Sequence, residues 1–152
     1  MKKLIILFAI AMTFIGTNMA QNKLNEKGDN IVGTYQSKQG DDVFKATITK
    51  QANGNYKGQV IWVENDRDAN GNKLLDEKNP DKSLRNVPCD QVVLFSDLKY
   101  NTKEQRWDGT KIYDPQRGIK ANLKAEFNKD GQLQLRGSVM GIGETVYWDK
   151  IK

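Results

Sequence analysis

The chain has 152 residues with no histidine and one cysteine, which excludes a Ser-His-Asp triad, a Cys-His dyad, a histidine-ligated zinc site and an internal disulfide framework. Its 24 lysines and arginines exceed its 19 aspartates and glutamates by a formal +5, but the two signs are interleaved, so no basic patch marks it for nucleic acid. Carboxylates, Lys, Arg, Tyr and one thiol remain for chemistry, which permits carboxylate acid–base work or the binding of hard cations without implying either.

Residues 1–20 begin with Lys2 and Lys3, continue through the apolar run Leu4–Ile15 and end on the small residue Ala20. That three-part layout predicts a secretory signal peptide. Its apolar core is shorter than the ~20 residues a spanning helix needs. The mature protein is therefore expected to be exported, periplasmic or secreted, with no stable membrane insertion once the leader is gone. No cysteine lies near the cleavage point to carry a lipid, and Cys89 is expected to pack as a small hydrophobe. A polar stretch, 21–30, reads as a flexible arm, and 31–152 is long enough for one core of ordinary size.

From Ile31 the pattern is that of strands. Ile31–Lys38 runs to the turn cluster Gln39-Gly40-Asp41, and Val43–Lys50 alternates Phe44, Ala46 and Ile48 against Lys45, Thr47 and Thr49. Asn53-Gly54 predicts a hairpin that folds Tyr56–Val63 back antiparallel. After a long polar insert come Gln91–Tyr100 and Arg106–Asp114. Gly118–Asn128 alternates most cleanly, with Ile119, Ala121, Leu123, Ala125 and Phe127 on one face and Lys120, Asn122, Lys124 and Glu126 on the other. Lys129-Asp130-Gly131 turns it into Gln132–Val139, and a Gly141-Ile142-Gly143 link leads to Thr145–Ile151. About eight strands joined by tight turns, with no amphipathic helix, predict an all-β domain. Closure into a single up-and-down antiparallel β-barrel removes the sheet edges, a flattened β-sandwich being the competitor. One long loop separates strands three and four. The inward candidates Ala46, Gly58, Ala121, Ala125 and Gly137 are small, which is compatible with a hollow interior.

A set of residues spread over the mature chain also carries a resemblance. Gly33-x-Tyr35, Asn79-Pro80-Asp81 with Leu84-Arg85, Trp107-x-Gly109-x-x-Ile112-Tyr113-Asp114-Pro115-x-x-Gly118, Leu133-x-x-Arg136-Gly137 and a closing Trp148 occur in order. In this the chain resembles the bacterial exported-protein family catalogued as domain of unknown function 2147. The resemblance implies a single exported domain with a lipocalin-like barrel and brings no established reaction. The chain departs from the family pattern where Lys120 and Ala121 replace a Tyr that often follows a Gly-Lys pair.

Candidate site residues come from three places. The insert Glu64–Pro88 holds Asp66, Asp68, Asn70, Gly71 and Glu77 at the spacing of a calcium loop, hard oxygen donors at alternate positions with a glycine for the sharp turn. Against that pattern, the loop is entered from a strand, and Lys73 stands where an apolar residue normally ties such loops together. Further along the insert, Arg85 is a bidentate partner for a carboxylate, and Asp114 beside Tyr113 is the candidate it would meet at the barrel mouth. Asp114 can equally cap the turn Asp114–Gly118. Trp62 and Trp107, with Trp148, can pack the core or line a ligand. Three functional readings follow. The first is binding of a hydrophobic or amphiphilic small molecule with Arg85, Trp107, Tyr113, Asp114 and Trp62 around it. The second is a carboxylate enzyme using Asp108 and Asp114 on envelope glycans. The third is a non-enzymatic interaction module of the cell envelope. Calcium is the one candidate cofactor.

Overall fold

The structure is a computed structural model that describes residues 22–39 and 41–152, so the signal peptide expected over 1–20 lies outside the described residues. Eight strands follow one another: β1 (Gly33–Gln39), β2 (Asp42–Lys50), β3 (Tyr56–Val63), β4 (Val93–Asn101), β5 (Arg106–Asp114), β6 (Ile119–Phe127), β7 (Leu133–Val139) and β8 (Ile142–Lys150). Each pairs antiparallel with the next, and β8 returns to β1 through Tyr35↔Lys150, Gln36↔Asp149 and Ser37↔Trp148. The barrel is closed and up-and-down, which leaves no free edge. Among the described residues no helix is long and apolar enough to cross a membrane.

Alternation builds the wall. On β6, Leu123, Ala125 and Phe127 are buried while Lys120, Asn122, Lys124 and Glu126 are exposed, as the period of two requires. The strand boundaries match the sequence pattern except at β8, which starts at Ile142. The expected link is instead a two-residue turn, because Met140 and Gly141 both take positive φ (51° and 81°), the geometry whose twist suits a tight hairpin.

One end of the barrel is plugged. Residues 22–31, expected as a loose arm from 21 to 30, form two 3₁₀ turns, Lys23–Asn25 and Gly28–Ile31, anchored to the wall by hydrogen bonds. Asn25 is buried and clamps Phe127, donating from Nδ2 to its carbonyl (2.9 Å) and accepting its N–H at Oδ1 (2.7 Å). Trp107 Nε1 donates to the Gly28 carbonyl (3.0 Å), and Tyr35 donates from its hydroxyl to the Ile31 carbonyl (2.7 Å). A polar sequence therefore becomes ordered because its carbonyls satisfy donors that the barrel's large aromatics would otherwise bury unpaired.

The small inward residues do not leave this half hollow. Ala125 pairs with Trp107 across the β5–β6 ladder, and the Phe95 ring lies directly on Gly58. Small residues sit where large neighbours need the space. Gly58→Ala would drive a methyl into the Phe95 ring, so a loss of about 1–3 kcal/mol in unfolding free energy is expected from urea denaturation.

Candidate functional site

The opposite end of the barrel is different. There the inward-facing positions are Ser37 on β1, Phe44 on β2, Val63 on β3, Ile112 on β5, Ala121 on β6, Gly137 on β7 and Val146 on β8, as the registers Ser37↔Phe44, Phe44↔Val63, Ile112↔Ala121 and Leu135↔Val146 fix. Phe44, Val63, Ile112 and Val146 are only partly buried, although they face inward and pack on the core. At the plugged end, by contrast, Ile31, Tyr35, Ile48, Leu98, Trp107 and Leu133 are all 0% exposed. The interior is thus a filled lower half beneath an apolar cup that opens at the rim.

The floor of the cup is aromatic. Phe44 meets Trp148 edge-on (centroids 5.8 Å apart, 86° between planes), and Tyr35 lies against the same indole at 6.0 Å. The rim carries charge. Arg117 Nη2 pairs with Glu144 (2.8 Å), Arg117 Nε approaches Asp114 (3.6 Å), and Gln116 Nε2 donates to Asp42 (2.6 Å). The carboxylate of Glu144 holds the Arg117 guanidinium above its usual pKa. Asp114 caps its turn, accepting the N–H of Gln116 at 2.9 Å and of Arg117 at 3.3 Å. Its ionic partner is therefore Arg117, whereas Arg85 had been the expected one.

Arg85 instead is an exposed residue of the insert that reaches a polar cluster with a buried centre. Its Nε donates to the Asn79 carbonyl (2.7 Å), Asn79 Nδ2 donates to Asp76 Oδ2 (2.7 Å), and the Tyr113 hydroxyl donates to Asp76 Oδ1 (2.6 Å). Asp76 and Asn79 are 2% and 5% exposed. Burial first, and then the Asp76 carboxylate, push the Tyr113 phenol well above its ordinary pKa, so it stays a donor. A cavity of about 140 Å³ adjoins the cluster, lined by Leu84, Val87, Val92 and Val93 with Asp76 and Asn79. Tyr113 and Arg85 thus share one cluster, linked through Asn79 and Asp76, of which Asp76 is not among the candidates from sequence. The one signal for it is a carboxylate directly after the Leu74-Leu75 pair in an otherwise solvated run.

Two bulges explain where the other candidates lie. The β2–β3 register shifts so that Ala46 faces Val60 but Phe44 faces Val63, which turns Trp62 outward, 39% exposed, under the Lys45 ammonium at 4.8 Å. The β5–β6 register shifts between Trp107 and Thr110, at Gly109 with φ 84°, so Ile112 and Asp114 face inward and Tyr113 outward beneath the insert. Trp107 sits in the plugged end, against Tyr100 and Phe127. Arg85, Trp107, Tyr113, Asp114 and Trp62 do not surround one cavity.

The calcium-spaced residues do not converge either. Lys73 Nζ pairs with Asp66 and, at 2.5 Å, with Asp90, occupying the space between the two carboxylates. That contact holds the Asp66 carboxyl below its usual range. Asp68 accepts the backbone N–H groups of Asn70 and Asn72, each at 2.9 Å, and Glu77 is exposed. Among the described residues no group of three or more His, Cys, Asp or Glu side chains is placed to hold a metal ion. Millimolar calcium is expected to leave the thermal midpoint unchanged, since an ion would have to displace Lys73 first; a rise of several degrees would overturn this.

Comparison with known proteins bears on the barrel and its family. No curated protein matches the chain. Among solved structures, protein HP1028 from the human pathogen Helicobacter pylori, described as belonging to the lipocalin family, superposes with a TM-score of 0.63 at 25% identity over 80% of this chain and 83% of that one. Residues 33–150 match the family described as "Uncharacterized protein conserved in bacteria", and across that span, which takes in all eight strands and the insert, this chain belongs to DUF2147.

Proposed function

We propose that the protein binds a small hydrophobic or amphiphilic molecule in the open half of its barrel, and that it does so after export. The observation that carries this reading is the asymmetry of the interior. Apolar side chains are sealed at the plugged end, whereas Phe44, Val63, Ile112 and Val146 face inward yet remain partly exposed at the other. Apolar surface left open inside a closed wall gains about 25 cal/mol per Å² when a ligand covers it. The lipocalin-like fold agrees with such a role by analogy. Export rests on the leader pattern of residues 1–20 and is tested by N-terminal sequencing of the mature protein.

The glycan-enzyme reading has no comparable support. Asp108 pairs with Arg106 (3.2 Å) and lies six positions from Asp114 along β5, about 20 Å at the rise of a strand. Paired glycosidase carboxyls stand only about 5–9.5 Å apart. For the binding reading, titration with a panel of apolar and amphiphilic compounds is expected to change Trp fluorescence saturably through Trp148. Ala121→Leu, which adds volume to the cup, is expected to weaken binding roughly tenfold. Absence of saturable binding across the panel would sink the reading.

A further inference from the structure

Two buried polar atoms at the cup floor have no hydrogen-bond partner. Ser37 is 2% exposed and Trp148 1% exposed, yet Ser37 Oγ and Trp148 Nε1 bond to nothing among the described residues. They are neighbours, since Ser37 and Trp148 pair across the β1–β8 ladder, and both face inward. Trp107, the other fully buried indole, donates to the Gly28 carbonyl. An unpaired buried donor is costly, and two side by side on an otherwise apolar floor are an uncommon arrangement.

The chemistry of the pair selects its partner. An indole N–H only donates, and a serine hydroxyl can donate beside it, so the missing group is an acceptor. Ser37, Phe44, Val63, Ile112, Ala121, Gly137 and Val146 carry no charge, and Lys150, whose Nζ stands 5.8 Å from the Tyr35 ring, is exposed and already donates to the Asn30 carbonyl (2.9 Å). Arg117 stands at the rim and is already engaged by Glu144 and Asp114. An anionic carboxylate placed at the floor would be buried without a countercharge, which is far more costly than burying a neutral carbonyl.

The geometry points to a recognition pair, Ser37 Oγ and the Trp148 indole N–H, that donates to a neutral acceptor oxygen, an ester, amide or ketone carbonyl, at one end of an otherwise apolar ligand. The inference rests on the ligand-binding reading above and adds the polar group that this site reads. Phe44, packed edge-on against Trp148 and in register with Ser37, is the side chain that must swing aside to admit the carbonyl.

A matched series tests it: methyl heptanoate, heptanoate and heptane, titrated by calorimetry into the mature wild-type protein, Ser37→Ala and Trp148→Phe. Methyl heptanoate is expected to bind more tightly than heptane, and heptanoate least tightly. Each substitution should weaken the ester by about threefold to tenfold relative to heptane measured on the same variant, the worth of one hydrogen bond. The indole N–H resonance that disappears in Trp148→Phe should move downfield with the ester and stay in place with heptane. Without ligand, Ser37→Ala should be at least as stable as wild type, because it removes an unpaired polar atom. Tightest binding of heptanoate, or ester affinity indifferent to both substitutions, overturns the head-group assignment while leaving the cup as a binding site. Failure of all three compounds to bind overturns the binding reading itself.

Discussion

Trp107→Ala is expected to destabilise the barrel by about 3–5 kcal/mol, lowering the thermal midpoint by about 10–15 °C. Trp107 is 0% exposed, with Tyr100 at 5.2 Å and Phe127 at 5.8 Å between ring centroids, and its Nε1 holds the Gly28 carbonyl at 3.0 Å. Truncation therefore opens a large cavity and also releases the turn that plugs the barrel end. Trp107→Phe refills most of the volume but not the hydrogen bond, so a smaller loss of about 1–2 kcal/mol is expected. Trp62→Ala provides the contrast. On the outer face, with Lys45 as its ring contact, it should cost no more than about 1 kcal/mol. Urea unfolding with a common slope decides the matter: comparable losses at Trp107 and Trp62 would contradict the assigned faces.

That contrast also shows how much of the molecule the sequence reveals. The barrel was legible because each strand announces itself locally, by the alternation of Gly118–Asn128 and by the Asn53-Gly54 hairpin signal. Which face a residue occupies was less legible. Counting by twos from Tyr56 puts Trp62 inside, and counting by twos from Trp107 puts Tyr113 inside. A single extra residue in each strand reverses both, and only Gly109 hints at one of the two bulges. The order of the polar arm is not legible locally because its main anchors are remote in sequence, Phe127 102 residues from Asn25 and Trp107 79 from Gly28. The cluster beneath the insert was half legible. Arg85 and Tyr113 stand out, but the carboxylate at the cluster's centre, Asp76, lies beside Glu77, whose spacing fits a calcium loop. Ser37 carries a signal of its own, a hydroxyl at an inward position of an alternating strand.

Asp76→Ala is expected to cost about 2–4 kcal/mol, because two donors lose their acceptor at a site where Asp76 and Asn79 are both buried. The Tyr113 hydroxyl (2.6 Å) and the Asn79 amide (2.7 Å) both converge on this carboxylate, and the Asp76 N–H bonds the Val87 carbonyl (2.9 Å), so one residue joins the insert to the outer face of β5. Asp76→Asn should lose less, since its carbonyl can keep the Asn79 amide while its own amide donates to the Tyr113 oxygen, which accepts as well as donates. Tyr113→Phe removes a single donor and leaves Asp76 its bond to Asn79, so about 1–1.5 kcal/mol is expected. Because the two residues share one bond, the double variant should lose less than the sum of the singles by at least 0.5 kcal/mol. The barrel ladder does not pass through this cluster, so hydrogen exchange should accelerate at the Asp76, Asn79 and Cys89 amides before it does on β6 and β7. Additive losses would break the assigned bond between Tyr113 and Asp76. Simultaneous exchange of insert and barrel would mean that the insert is fused to the barrel core, and Asp76 would then count toward the stability of the whole fold and not only toward the seating of one loop.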